Sequence, residues 1–175
     1  MNTDLKKYIR TVENFPKPGI MFRDITTLLK EPEGLKASFN ALVDFTKGLK
    51  IDKVVGIESR GFMLGAMLAE KLNAGFIPIR KPGKLPAETV KEEYSLEYGT
   101  DAVEIHKDAI EDGESILLHD DLLATGGTAR AAVNLIEKLG GKVVQVSFII
   151  ELSFLKGREK LEGYDVRSLI SYASE

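Results

Sequence analysis

Apolar residues recur at three- and four-residue spacing near the start of the chain, at Leu5, Tyr8, Ile9 and Val12, which predicts a short helix. Phe15-Pro-Lys-Pro-Gly-Ile-Met-Phe22 stops it, because two prolines and a glycine cannot continue a helix. Glu33 to Lys50 reads as an amphipathic helix with Leu35, Phe39, Leu42, Val43 and Leu49 on one face. The pattern then alternates. Short apolar strands are predicted at Lys53–Ile57, Gly75–Ile79, Ser115–His119 and Lys142–Ile150, with a further one at Asp165–Ile170. Between them lie a helix from Gly61 to Asn73, apolar nearly all round and so expected to be buried, and a helix from about Thr128 to Leu139. Continuous Val/Ile/Leu strands separated by helices define an α/β fold: a parallel sheet covered by helices on both faces.

One stretch breaks the alternation. Arg80 to Asp101 has no helical period, and loops of that length inside a compact domain are usually lids or linkers; the interleaved charged and aromatic residues favour a flexible lid. No repeat and no low-complexity tract interrupts the chain, so residues 1–175 are read as one domain, with 1–32 forming an N-terminal helix and hood and 80–101 the lid.

Composition narrows the classes. The 175 residues carry 24 basic and 27 acidic side chains, a net charge of −3, with 43% hydrophobic residues, which is ordinary globular composition. That charge argues against a general nucleic-acid binder. No apolar run approaches the roughly 18 residues of a membrane span, and the start lacks the apolar core of a signal peptide, so a cytoplasmic protein is expected. There is no cysteine, hence no disulfide framework and no thiolate metal site.

The strongest chemical signal is Ile116-Leu-Leu-His-Asp-Asp-Leu-Leu-Ala-Thr-Gly-Gly-Thr128. An apolar strand delivers Asp120 and Asp121 at its carboxyl end, the edge where parallel α/β sheets bind ligands. The loop Ala124, Thr125, Gly126, Gly127, Thr128 then opens a helix, so free N–H groups and two hydroxyls face a common point suited to a phosphate monoester. It is neither a Walker loop, lacking Gly-Lys-Ser/Thr, nor a Gly-x-Gly-x-x-Gly dinucleotide turn. Two acids ahead of a phosphate loop suit the two hydroxyls of a ribose 5′-phosphate. Glu58, Ser59 and Arg60 open a second helix with a cation at its N-terminus, another anion site. Arg80, Lys81 and Lys84 make the lid positive, suiting a substrate with several negative charges. Phe22 can stack on a flat heterocycle, with Arg23 and the Met21 backbone bonding its edge; filling the core is the other reading of Phe22. Met63 and Met67, one turn apart, read as core packing, and His106 as the polar side of a strand. Two histidines so far apart in the sequence do not suggest a transition-metal site.

The 116–128 string resembles the phosphoribosyl-diphosphate (PRPP) motif of the type I phosphoribosyltransferases. Phe15–Ile25, Gly56-Ile-Glu-Ser-Arg-Gly-Phe62, Arg80-Lys-Pro-Gly-Lys-Leu-Pro86 and Tyr94-Ser-Leu-Glu-Tyr-Gly99 extend the resemblance over nearly the whole chain and point to the adenine-using branch of that family. The resemblance implies the type I phosphoribosyltransferase fold and transfer of the phosphoribosyl group of PRPP to adenine, giving AMP and pyrophosphate in purine salvage. It implies Mg²⁺ held by substrate and water rather than by protein ligands, and a homodimer. It assigns the 5′-phosphate to residues 124–128, ribose to Asp120 and Asp121, and pyrophosphate to Glu58, Ser59, Arg60, Arg80, Lys81 and Lys84, with a cis Glu58–Ser59 peptide. It assigns adenine to Met21, Phe22 and Arg23, proton transfer to Glu97, and closure of the site to Tyr98. The chain departs from the family pattern at His119, where an aliphatic residue usually precedes the paired acids; a half-buried, hydrogen-bonded strand residue is expected. The alternatives are a phosphoribosyltransferase for another base, such as xanthine or orotate, and a non-catalytic PRPP- or purine-sensing regulator.

Overall fold

A computed structural model describes residues 4–95 and 99–174. The chain opens with a 3₁₀ turn at Leu5–Tyr8 and an antiparallel pair, β1 (Arg10–Glu13) with β2 (Met21–Asp24), ahead of the short helix α1 (Thr26–Leu29) and the long α2 (Pro32–Phe45). Then follow β3 (Lys53–Ile57), α3 (Gly61–Lys71), β4 (Gly75–Ile79), the hairpin β5 (Thr89–Ser95) and β6 (Thr100–His106), β7 (Ser115–Leu123), α4 (Gly127–Lys138) and β8 (Lys142–Leu152). Two 3₁₀ turns, Ser153–Leu155 and Gly157–Leu161, lead to β9 (Val166–Tyr172).

The main sheet is parallel throughout, in the order β4-β3-β7-β8-β9. Side chains alternate across it with period two. Val55, Ile57, Ile116 and Leu118 join the core under α4 and the β5–β6 hairpin, whereas Val54 and Leu117 join the core under α2 and α3. The expected α/β architecture with both faces covered is therefore present. The order also sets the site. From β3 the chain crosses to β4 on one side, and later returns to place β7 on the other, so the carboxyl ends of β3 and β7 form the topological switch point where such sheets bind ligands.

Four expectations are corrected. The helix predicted through Val12 stops at Tyr8; Arg10–Glu13 is a strand, because it pairs residue by residue with Met21–Asp24. The stretch from Arg80 to Asp101 is not free of regular structure: Thr89–Ser95 pairs in unbroken antiparallel register with Thr100–His106. Helix α3 is not buried all round, since Met63 and Met67 are 44% and 37% exposed rather than packed in the core. His119 is wholly buried rather than half-buried.

Candidate active site

Strand β7 carries its acids past the last pairing of β3, at His119, so Asp120 and Asp121 stand at the open end of the sheet. There Asp121 meets the first turn after β3: Arg60 Nε lies 3.0 Å from its carboxylate. Gly61 makes this approach possible, since a Cβ on it would stand 2.8 Å from the His119 carbonyl and 3.0 Å from Asp120 Oδ1. The N-terminus of α3 therefore abuts the acids directly. Burial and the neighbouring Asp121 charge push the Asp120 carboxyl well above the usual carboxylate range. Burial also raises Asp121, with Arg60 opposing it.

Beyond Leu123 the loop turns through Gly126, whose φ of +77° lies in the left-handed region that favours glycine, into α4. Loop and acids line one cleft of about 350 Å³, together with Glu58, Ser59 and Arg60 from the β3–α3 turn and Lys81 and Tyr94. Sequence reading placed 124–128, 120–121 and 58–60 separately, and the fold brings all three together. The Glu58–Ser59 peptide is cis, as the resemblance implied.

The Glu58 carboxylate faces the cations of the following segment. It accepts hydrogen bonds from Arg80 Nε (3.2 Å) and Nη2 (3.2 Å), Lys84 Nζ (2.8 Å) and the Lys81 N–H (2.9 Å). Burial alone would raise its pKa, but these donors hold it down to about 2. Lys81 in turn pairs with Asp101, and its Nζ donates to Tyr94 Oη at 3.0 Å. All four cations that sequence reading grouped for a polyanion are thus carboxylate-paired.

Of the β2 residues, Phe22 faces the site: its ring lies 5.1 Å from the Arg60 guanidinium and packs edge-on against Phe15. Adjacent strand residues point to opposite faces, so Arg23 turns away. Its guanidinium lies 4.3 Å from the Tyr172 ring and donates to Thr11 Oγ1. The fold does not bring the Arg23 side chain to Phe22. Met21, Phe22 and Arg23 do not line the 350 Å³ cleft itself. Glu97 and Tyr98 lie outside the described residues, two and three positions beyond the end of β5.

Sequence reading gave no site role to Val103 or Tyr94, both of which line the cleft from the hairpin. It also passed over Gly157 and Lys160, which abut the loop: a Cβ on Gly157 would stand 3.0 Å from the Gly126 nitrogen, and one on Gly127 would lie 3.9 Å from Lys160 Nζ. A glycine flanked by cations, Lys156-Gly157-Arg158, was the available signal.

A glycine-rich helix start, paired acids on the preceding strand, and a second helix start across the switch point are the arrangement of a phosphoribosyltransferase domain. Residues 26–171 match the family described as the phosphoribosyl transferase domain. The chain is 60% identical over 170 residues to the adenine phosphoribosyltransferase of Christiangramia forsetii, covering 97% of this chain and 99% of that one. Its fold is similar to the crystal structure of the adenine phosphoribosyltransferase from Thermoanaerobacter pseudethanolicus, with TM-score 0.94, 51% identity, and coverage of 97% and 98%. It is also similar to the Saccharomyces cerevisiae adenine phosphoribosyltransferase complexed with D-2,5-dideoxy-2,5-imino-altritol 1,6-bisphosphate and adenine, with TM-score 0.87, 43% identity, and coverage of 95% and 96%. The chain belongs to the adenine phosphoribosyltransferases.

Proposed function

We infer that this chain transfers the phosphoribosyl group of PRPP to adenine, releasing AMP and pyrophosphate, as a step of purine salvage. The observation that carries the reading is the meeting of Asp120, Asp121, the 124–128 loop and the Glu58–Arg60 turn in one cleft at the switch point. In this reading the N–H groups of the loop and the Thr125 and Thr128 hydroxyls hold the 5′-phosphate. Asp120 and Asp121 accept from the ribose hydroxyls.

The diphosphate lies at Ser59 and Arg60, with Arg80, Lys81 and Lys84 drawn from their carboxylate partners as it binds. Glu58 serves this subsite by holding those cations and through its peptide. Phe22 stacks on adenine, with the Met21 and Arg23 main chain at its edge. N9 attacks C1′ as pyrophosphate leaves, through a transition state with oxocarbenium character. The cations stabilise the leaving charge while the clamped phosphate and diol hold C1′ in line. Glu97 moves the purine proton. Tyr98 and the 80–101 lid close over the site, and residues 1–32 form the hood; closure excludes the water that would hydrolyse the activated sugar.

Among the described residues no three His, Asp or Glu side chains gather as a metal cage. In this reading Mg²⁺ would enter with the substrate rather than on protein ligands and would neutralise diphosphate charge. The exposed methionines of α3 support a homodimer. Among the described residues no helix is long and apolar enough to cross a membrane, and we place the protein in the cytoplasm. The test is incubation with PRPP, Mg²⁺ and adenine, xanthine or orotate in turn. AMP and pyrophosphate form with adenine, and comparable turnover of another base would contradict the assignment.

A further inference from the structure

The 124–126 loop has to present its amides in fixed directions, yet it lies at the open end of the sheet. What backs it is the segment after β8. Lys156 adopts a left-handed φ of +56° and turns the chain towards the loop. Gly157 then meets the loop backbone to backbone. A Cβ on Gly157 would overlap the Ala124 carbonyl oxygen and stand 3.0 Å from the Gly126 nitrogen; a Cβ on Gly126 would overlap the Gly157 carbonyl oxygen. Gly157 is not among the glycines with positive φ, so it is required here for space rather than for conformation.

The segment is itself anchored. Arg158 grips the buried Glu151 through Nε–Oε1 and Nη2–Oε2 bonds of 2.7 Å each, and donates through Nη1 to the Val166 carbonyl at 2.7 Å. Glu151 also accepts from Ser168 Oγ on β9, while Leu161 is buried in the core beneath α4. The bracket is thus tied to the β8–β9 ladder on one side and pressed against the loop on the other.

Peptide geometry gives this contact a direction. The Ala124–Thr125 bond is trans, so its C=O and N–H point opposite ways. The carbonyl faces Gly157, and the Thr125 N–H therefore points away from it. Gly157 does not line the cleft, whereas Ala124 and Thr125 do. We propose that Gly157, anchored by the Arg158–Glu151 pair, is a positioning residue that sets the orientation of the phosphate-binding peptides; this rests on the assignment of residues 124–128 to the 5′-phosphate.

Steady-state kinetics of Gly157→Ala and Arg158→Ala test it, with Thr125→Ala/Thr128→Ala as the check on the loop itself. Arg158→Ala adds no atom at the contact and so serves if Gly157→Ala does not fold. The expected result is a PRPP KM raised about tenfold or more in the bracket variants, with the adenine KM within about twofold of wild type. A general structural role would instead lower the melting temperature or the active fraction and leave the PRPP KM of the folded protein unchanged, which overturns the proposal. If the threonine variant raises the PRPP KM and the bracket variants do not, the bracket is refuted and the loop assignment stands. If none of the three moves it, the loop assignment fails and the proposal with it.

Discussion

His119 is wholly buried, with Nδ1 3.0 Å from Ser147 Oγ and, among the described residues, no partner for Nε2, on the face of β7 that packs against Gly65 of α3. Burial lowers its pKa to about 4, with the Ser147 bond opposing. The unfolded chain binds a proton here below about pH 6.5 and the native state does not until about pH 4, so this residue's contribution is full above 6.5 and declines as pH falls. Urea unfolding at pH 7.5 and pH 5 should show His119→Val losing about 2 kcal/mol less than wild type over that interval. Equal losses would mean that the imidazole is protonated in place. The pairing of Arg60 with Asp121 makes a second claim at this scale. Arg60→Ala removes the counter-charge of a buried acid and, on the proposed function, a diphosphate cation, so kcat/KM for PRPP should fall about 10²-fold or more, and unchanged kinetics would remove Arg60 from the site.

Among the elements, β3, β7 and β8 were legible because they lie buried in the middle of a parallel sheet and read as unbroken apolar runs. The β5–β6 hairpin was not. Thr89-Val-Lys-Glu-Glu-Tyr-Ser95 carries three consecutive charges, and it is a strand because β6 pairs with it and α4 supports it, Asn134 Nδ2 donating to Glu92 at 2.9 Å. Such support comes from residues some 40 positions away, beyond the reach of a local window. The same distance hid the contact between the hairpin and the 124–128 loop. A Cβ on Gly127 would point at the Tyr94 ring (3.3 Å) and the Ser95 carbonyl (3.5 Å), so the glycine makes room for the hairpin rather than for the ligand itself. Gly127→Val should push the two apart and raise the PRPP KM about tenfold, which initial-rate kinetics would read; wild-type kinetics would show that the hairpin yields without cost.

For the whole molecule, the sheet and both loop-bearing crossovers followed from periodicity and turn residues, whereas the destination of apolar surface did not. Met63 and Met67 fit a core as well as a subunit contact in sequence, and only the packing of α3 shows them outside. Similarly, the alternation of β2 decides which of Phe22 and Arg23 faces the site, a choice that composition leaves open. If the α3 face joins two subunits, Met63→Glu/Met67→Glu should sediment as a monomer where the wild type sediments as a dimer; a variant that stays dimeric would move the interface elsewhere. The central claim is that the turn after β7 grips a nucleotide's phosphate while the paired acids hold its sugar. A crystal structure with AMP tests it most directly. The account predicts phosphate oxygens within hydrogen-bond distance of the 125–128 amides and ribose hydroxyls on Asp120 and Asp121; a nucleotide bound with its phosphate anywhere else would contradict it.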